Sequence, residues 1–152
     1  MAAMTHEGRA PWSQRGAELV EFALVLPILL LVIMGIIDFG FAFQRYQVIT
    51  NAAREGARVG VLPGYDSADI QARVDAYVEA AGLEGRATTT VRAVSIPDTR
   101  GGAAPGVEVT VIYTHTYVFL GPIISLFQKS PEPAELRAVS TMRIEAATVS
   151  GG

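Results

Sequence analysis

Residues 22–37 read FALVLPILLLVIMGII. The stretch carries no charge, and apolar residues cover every side of any helix drawn through it. With its flanks, Ala17 to Phe43, it exceeds the roughly 20 residues that cross a hydrocarbon core about 30 Å thick. A helix that is apolar all round must be buried, in protein or in lipid. A chain of 152 residues lacks a core large enough to wrap such a helix on every side. The stretch therefore reads as a single membrane span rather than as the central helix of a soluble domain.

Outside the span, composition excludes more than it selects. The length leaves room for one small domain, near the lower range for independent stability. Net charge is -3 and the pI is near 5.3. No basic stripe marks a nucleic-acid footprint, so no nucleic-acid partner is expected. There is no cysteine, which removes disulfides and thiolate metal sites and means an exported domain must hold by packing. Arg9 and Arg15 precede the span, and Arg45, Arg54 and Arg58 follow it, so the charge count alone does not orient it. The segment IIDFGFAFQRYQ after the apolar run offers no small-x-small site, which argues against signal-peptide cleavage there.

The junction before the span reads Arg15, Gly16, Ala17, Glu18, Leu19, Val20, Glu21, Phe22. A glycine, four residues, then Glu-Phe leading a long apolar helix resembles the type IV prepilin pattern. That resemblance implies a cytoplasmic leader cut between Gly16 and Ala17 by a membrane prepilin peptidase. A glycine suits such a site because an extended backbone enters a narrow cleft with no side chain to clash. Glu21 would then be the fifth mature residue, about 6 Å along a helix from the new amino terminus at Ala17. A carboxylate inside the apolar layer costs about 2 to 3 kcal/mol on insertion scales unless it finds a partner. The freed amino group of Ala17, on the same or a neighbouring subunit, would supply the counter-charge and set register. Glu18 competes for that role, and Glu21 also reads as an interfacial carboxylate that reaches water. Pilins use the glutamate matched by Glu21, followed here by Phe22.

Pro27 lies inside the span and removes one backbone donor. Two readings of Asp38 stand: an interfacial residue among Phe39 and Phe41 of an aromatic belt, or the partner of a cation on a neighbouring helix. Beyond it the pattern stays helical, FQRYQVITNAAREGARVGVLPG, up to a stop at Pro63-Gly64. Ala52, Gly56 and Gly60 form a small-residue stripe that permits close helix contact, either with the chain's own sheet or between subunits. Arg54, Glu55 and Arg58 form a charged edge, with Glu55 and Arg58 in local pairing reach.

These two blocks in order, Gly16 through Gly60, are similar to the TadE-like family of pilus assembly proteins. The residues that carry the likeness are Glu21-Phe22, Pro27, Gly35, Asp38-Phe39-Gly40 and the run Asn51 to Arg58. Many members carry glutamate where this chain has Asp38. The resemblance implies a minor pilin or pseudopilin of the tight-adherence (Flp) pilus system. It also implies its partners: the prepilin peptidase, other pilins or pseudopilins, and the inner-membrane assembly platform.

Further on, Asp66-Ser67 caps a second helix, SADIQARVDAYVEAAG, with Ile70, Val74, Tyr77, Val78 and Ala81 as its apolar stripe and Gly82 as its stop. From Arg86 the texture is β: RATTTVRAVSI, then GVEVTVIYTHTYVFL, then ELRAVSTMRIEA. PDTRGGAAPG and KSPEPAE read as loops. GPIISLF reads as a short helix or turn over the sheet or near the membrane surface. The expected fold is α+β: a long N-terminal transmembrane helix running into a pilin-like domain with a second helix and an antiparallel sheet of at least three strands. The expected organisation is a leader over 1–16, span and extended helix over 17–62, an extracytoplasmic domain over 63–146 and a flexible tail over 147–152.

No catalytic constellation emerges. His6 and His115 lack a second ligand at metal spacing, and His115 reads as a sheet residue facing solvent or the next strand. No phosphate loop or nucleophile elbow is present. The residues give a single-pass membrane protein with no cofactor or metal expected; the resemblance implies that it is a structural protein of the inner membrane, leader in the cytoplasm and domain outside, acting in pili for surface adhesion. The competing class is an unprocessed membrane-tethered binding domain of the cell envelope.

Overall fold

A computed structural model describes residues 12–97, 101–127 and 133–144. The expected leader and tail, and His6, lie largely or wholly outside them. Helix α1 spans Trp12–Gly60 and α2 spans Ser67–Ala80. Strands β1 (Ala87–Pro97) and β2 (Ala103–His115) follow, then the short helix α3 (Leu120–Phe127) and strand β3 (Ala134–Arg143). The sheet is antiparallel in the order β1-β2-β3. The fold is α+β, with one long apolar N-terminal helix, a second helix and a three-stranded sheet.

Helix α1 is 49 residues long and unbroken through Pro27. Its two halves meet different surroundings. From Gly16 to Ile37 no residue is buried; Leu19, Leu24 and Ile28 are 67–70% exposed. From Asp38 onward a stripe turns inward: Asp38, Ile49, Ala52, Ala53, Gly56 and Ala57 are buried, with Ala42, Arg45, Val48 and Gly60 half-buried between them. The three- and four-residue steps keep these positions on one helix face. That face rests on β2 and α2. Small residues are required there. A Cβ on Gly56 would run into Val74 Cγ2, and one on Gly60 would lie 2.8 Å from Ile70 Cδ1 and 2.9 Å from Val107 Cγ1.

Helix α2 begins where its sequence directs. The Asp66 carboxylate accepts from the amides of Ala68 and Asp69, and Asp69 accepts in return from the Asp66 amide, a reciprocal capping box. It ends in a Schellman pattern: Gly82 adopts φ +68°, its amide donates to Glu79 O and the Leu83 amide donates to Val78 O. Ile70, Val74 and Val78 are buried, whereas Tyr77 points outward.

On β2, Val107, Val109, Val111 and Tyr113 face the helices and are at most 6% exposed. The loop expected over PDTRGGAAPG is shorter than its composition indicates. β2 begins at Ala103, with Ala103 to Gly106 paired to Pro97 to Val94. Pro105 lacks a donor but is tolerated near the start of the central strand, where its carbonyl accepts from the Ile144 amide at 2.8 Å. α1 ends at Gly60, three residues before Pro63, and Leu62 closes the turn on Val59 O.

Candidate assembly and membrane-boundary site

At the N-terminal end of α1 the helix already runs through the proposed scissile bond. Gly16, Ala17, Glu18, Glu21 and Phe22 are all exposed. A Cβ on Gly16 would have nothing within 4 Å among the described residues, so no packing among them requires glycine there. Glu21 makes no ion pair among the described residues. For the backbone to be cut, the first turns of α1 must unwind, which is easiest at a helix end where four amides lack intrahelical acceptors.

From Gly16 onward, Asp38 is the first buried residue of α1, and it is fully buried. Its partners among the described residues are backbone amides. Oδ1 accepts from the Val118 amide at 2.9 Å, and Oδ2 accepts from the amides of Phe119 at 2.9 Å and Leu120 at 2.7 Å. These are amides at the start of α3, so Asp38 caps a helix about eighty residues away in sequence. A buried carboxylate is tolerated when its lone pairs are met by donors, and a helix N-terminus presents both free amides and positive dipole charge. Neither reading offered by the sequence, belt residue or ion-pair partner of a neighbouring helix, includes this internal cap.

Two turns further along the same face, Arg45 comes near His115 at the end of β2. Arg45 lies over the Phe41 ring, 5.6 Å to the centroid. Its Nε and Nη1 are buried without a hydrogen-bond partner among the described residues. His115 is 1% exposed, and neither ring nitrogen has a partner among the described residues. It stacks edge-on with Tyr117 at 5.1 Å between centroids and tilts against Tyr113 at 6.4 Å. The expectation that His115 faces solvent or the next strand is overturned. The inward alternation of β2 continues one step past Tyr113 and carries the imidazole beneath α1. Burial, then the charge of Arg45, holds the imidazole below its ordinary value of 6.5; Asp38 opposes them and Arg86 adds to them.

The charged edge of α1 is internal as well. Glu55 Oε1 accepts from Arg73 Nη2 of α2 at 2.8 Å, and Oε2 lies 3.6 Å from Arg58 Nε. Arg73 and Arg58 hold the Glu55 carboxyl below the usual range, the Arg73 hydrogen bond most of all. The sequence pairs Glu55 with Arg58 but gives no sign of Arg73. Arg54 is exposed. Ala52, Gly56 and Gly60 are taken up by the chain's own α2 and β2. No group of three or more His, Cys, Asp or Glu that could hold a metal occurs among the described residues.

The geometry divides α1 at Asp38 into a bare apolar rod and a domain-forming half. The rod is the one stretch among the described residues that is long and apolar enough to cross a membrane, and none of its most apolar window is buried. Compared with known families, residues 16–58 match the family described as TadE-like protein. The chain thus carries a TadE-like segment. The match begins at Gly16 and ends at Arg58, so it takes in the junction, the rod, Asp38 and most of the packed stripe. No curated protein and no solved structure matches.

Proposed function

We propose that the chain is a minor pilin or pseudopilin of a tight-adherence pilus system, non-catalytic, matured by a prepilin peptidase that cuts between Gly16 and Ala17. The observation that supports it is the TadE-like match starting at Gly16, at a glycine that no contact among the described residues needs. The segment 1–16 is the cytoplasmic leader, the rod crosses the inner membrane, and the α+β domain lies outside. After cleavage, Glu21 pairs with a free amino terminus at Ala17. Within a lipid layer or a filament core that charge pair fixes axial register, because an unpaired carboxylate there is costly. The bare faces of the rod pack against lipid or against other pilins of the system, and the domain meets the assembly platform.

Intact mass and N-terminal sequencing, with and without the cognate peptidase, test this reading. The expected result is a peptidase-dependent N-terminus at Ala17 that is lost in Gly16→Ile, whose branched side chain blocks the cleft. An uncut chain beside a demonstrably active peptidase would remove the prepilin mechanism and leave the membrane-tethered binding domain.

A further inference from the structure

Helix α3 has no buried residue, and its sequence is LGPIISLF. From Thr116 to Phe127 the chain carries no charge. Leu126 is 80% exposed and Phe127 88%, with Val118 and Phe119 also exposed. A soluble domain rarely leaves so continuous an apolar patch uncovered.

We propose that α3 lies in the bilayer interface, on the side of the membrane that holds the folded domain, with its apolar face in phospholipid. The inference rests on the reading of the rod as a membrane span. Three observations fix lipid as the occupant. First, the patch is continuous with the rod: the carboxylate that holds the start of α3 belongs to the residue directly after Ile37. Counted from Ala17 at 1.5 Å per residue, Asp38 stands about 30 Å along α1, the thickness of a hydrocarbon core. α3 is therefore pinned at the depth where hydrocarbon gives way to headgroups. Second, polar groups at the N-terminal end of α3 that lipid would penalise are already met. Asp38 accepts from the amides of Val118, Phe119 and Leu120, Pro122 in the first turn has no amide proton, and the Ser125 hydroxyl donates to Pro122 O at 2.6 Å. Third, Phe39, Phe41 and Phe43 are exposed on α1 just beyond Asp38, so apolar surface continues past the rod at the level where α3 is held. An apolar helix lying in the interface is held by the area it buries there. Here it would also fix how the domain sits over the membrane.

Depth-dependent fluorescence quenching tests this on the full chain in phosphatidylcholine vesicles. Trp12 is the only tryptophan, so a Trp12→Phe background carries one reporter at a time: Phe127→Trp, Leu30→Trp in the rod, or Tyr65→Trp in the α1–α2 turn. Phe127→Trp should emit to the blue and lose most of its intensity to lipids brominated near the ester end, and less to those brominated deep in the chain. Leu30→Trp should show the opposite order, and Tyr65→Trp neither. Phe127→Trp behaving like Tyr65→Trp while Leu30→Trp is quenched would overturn the proposal and leave the span standing. Blue emission at Phe127→Trp without lipid quenching would also overturn it, in favour of a second copy covering α3. An unquenched Leu30→Trp would instead remove the span itself.

Discussion

Asp38 holds a buried charge with three amides and no ion pair among the described residues. Asp38→Ala takes away the acceptor and leaves those amides unmet, which should lower domain stability by about 2 kcal/mol. Asp38→Asn should retain most of that stability, because asparagine caps as well as aspartate in rank. Hydrogen exchange at Val118, Phe119 and Leu120 reads the difference directly; equal protection in all three proteins would show that the cap is idle. His115 gives a pH signature. Its folded value lies below its unfolded value of 6.5, so the unfolded chain binds the proton first. Its contribution to stability is complete above that value and is lost as pH falls below it. Glu55 has the same sign but acts only below its ordinary 4.5. Urea midpoints should therefore fall between about pH 7 and pH 5 and flatten in His115→Phe; an unchanged slope would place the acid sensitivity elsewhere. The role of Asp38 was not legible in the sequence. The donors that Asp38 meets are backbone amides, which carry no residue-type signal, and they lie far along the chain. For His115, extending the valine alternation one step past Tyr113 would have found the burial.

At the scale of elements, the small-residue stripe of α1 is a packing device inside this chain. Gly56→Ala forces a methyl against Val74, a fully buried β-branched side chain with little rotamer freedom. It should destabilise the domain by about 1 to 3 kcal/mol, as overpacking does. Gly40→Ala meets nothing within 4 Å and should be neutral or stabilise the helix by up to about 1 kcal/mol. Thermal melts of the two variants check the contrast, and equal melts would mean that the stripe does not approach α2 so closely. The existence and kind of most elements were readable because the signals were local: a capping box at Asp66, a glycine stop at Gly82, alternating valines on β2. The start of β2 was not. Gly101, Gly102 and Pro105 read as loop by composition, and only the ladder with β1 and the Pro105 carbonyl bond make Ala103–Gly106 a strand.

For the whole molecule, one helix serves two solvents. Its first half is bare from Gly16 to Ile37, and its second half is the spine of the domain, with Asp38 where they meet. Length and apolarity made the span legible, because no core that a chain this short can build would cover it. Where the span ends and the domain begins was not legible, since the helical pattern runs on through Asp38 without interruption. The absence of native cysteine makes the decisive measurement simple. Single cysteines are introduced as Leu30→Cys, Ile49→Cys and Leu62→Cys in the full chain in vesicles, and reaction with a water-soluble maleimide is followed before urea, in urea, and after the bilayer is dissolved. The account expects Leu62→Cys to react at once, Ile49→Cys only when urea opens the domain, and Leu30→Cys only when the lipid is removed. Leu30→Cys reacting at once, or together with Ile49→Cys in urea, would show that protein or water rather than lipid surrounds the rod and would contradict the account.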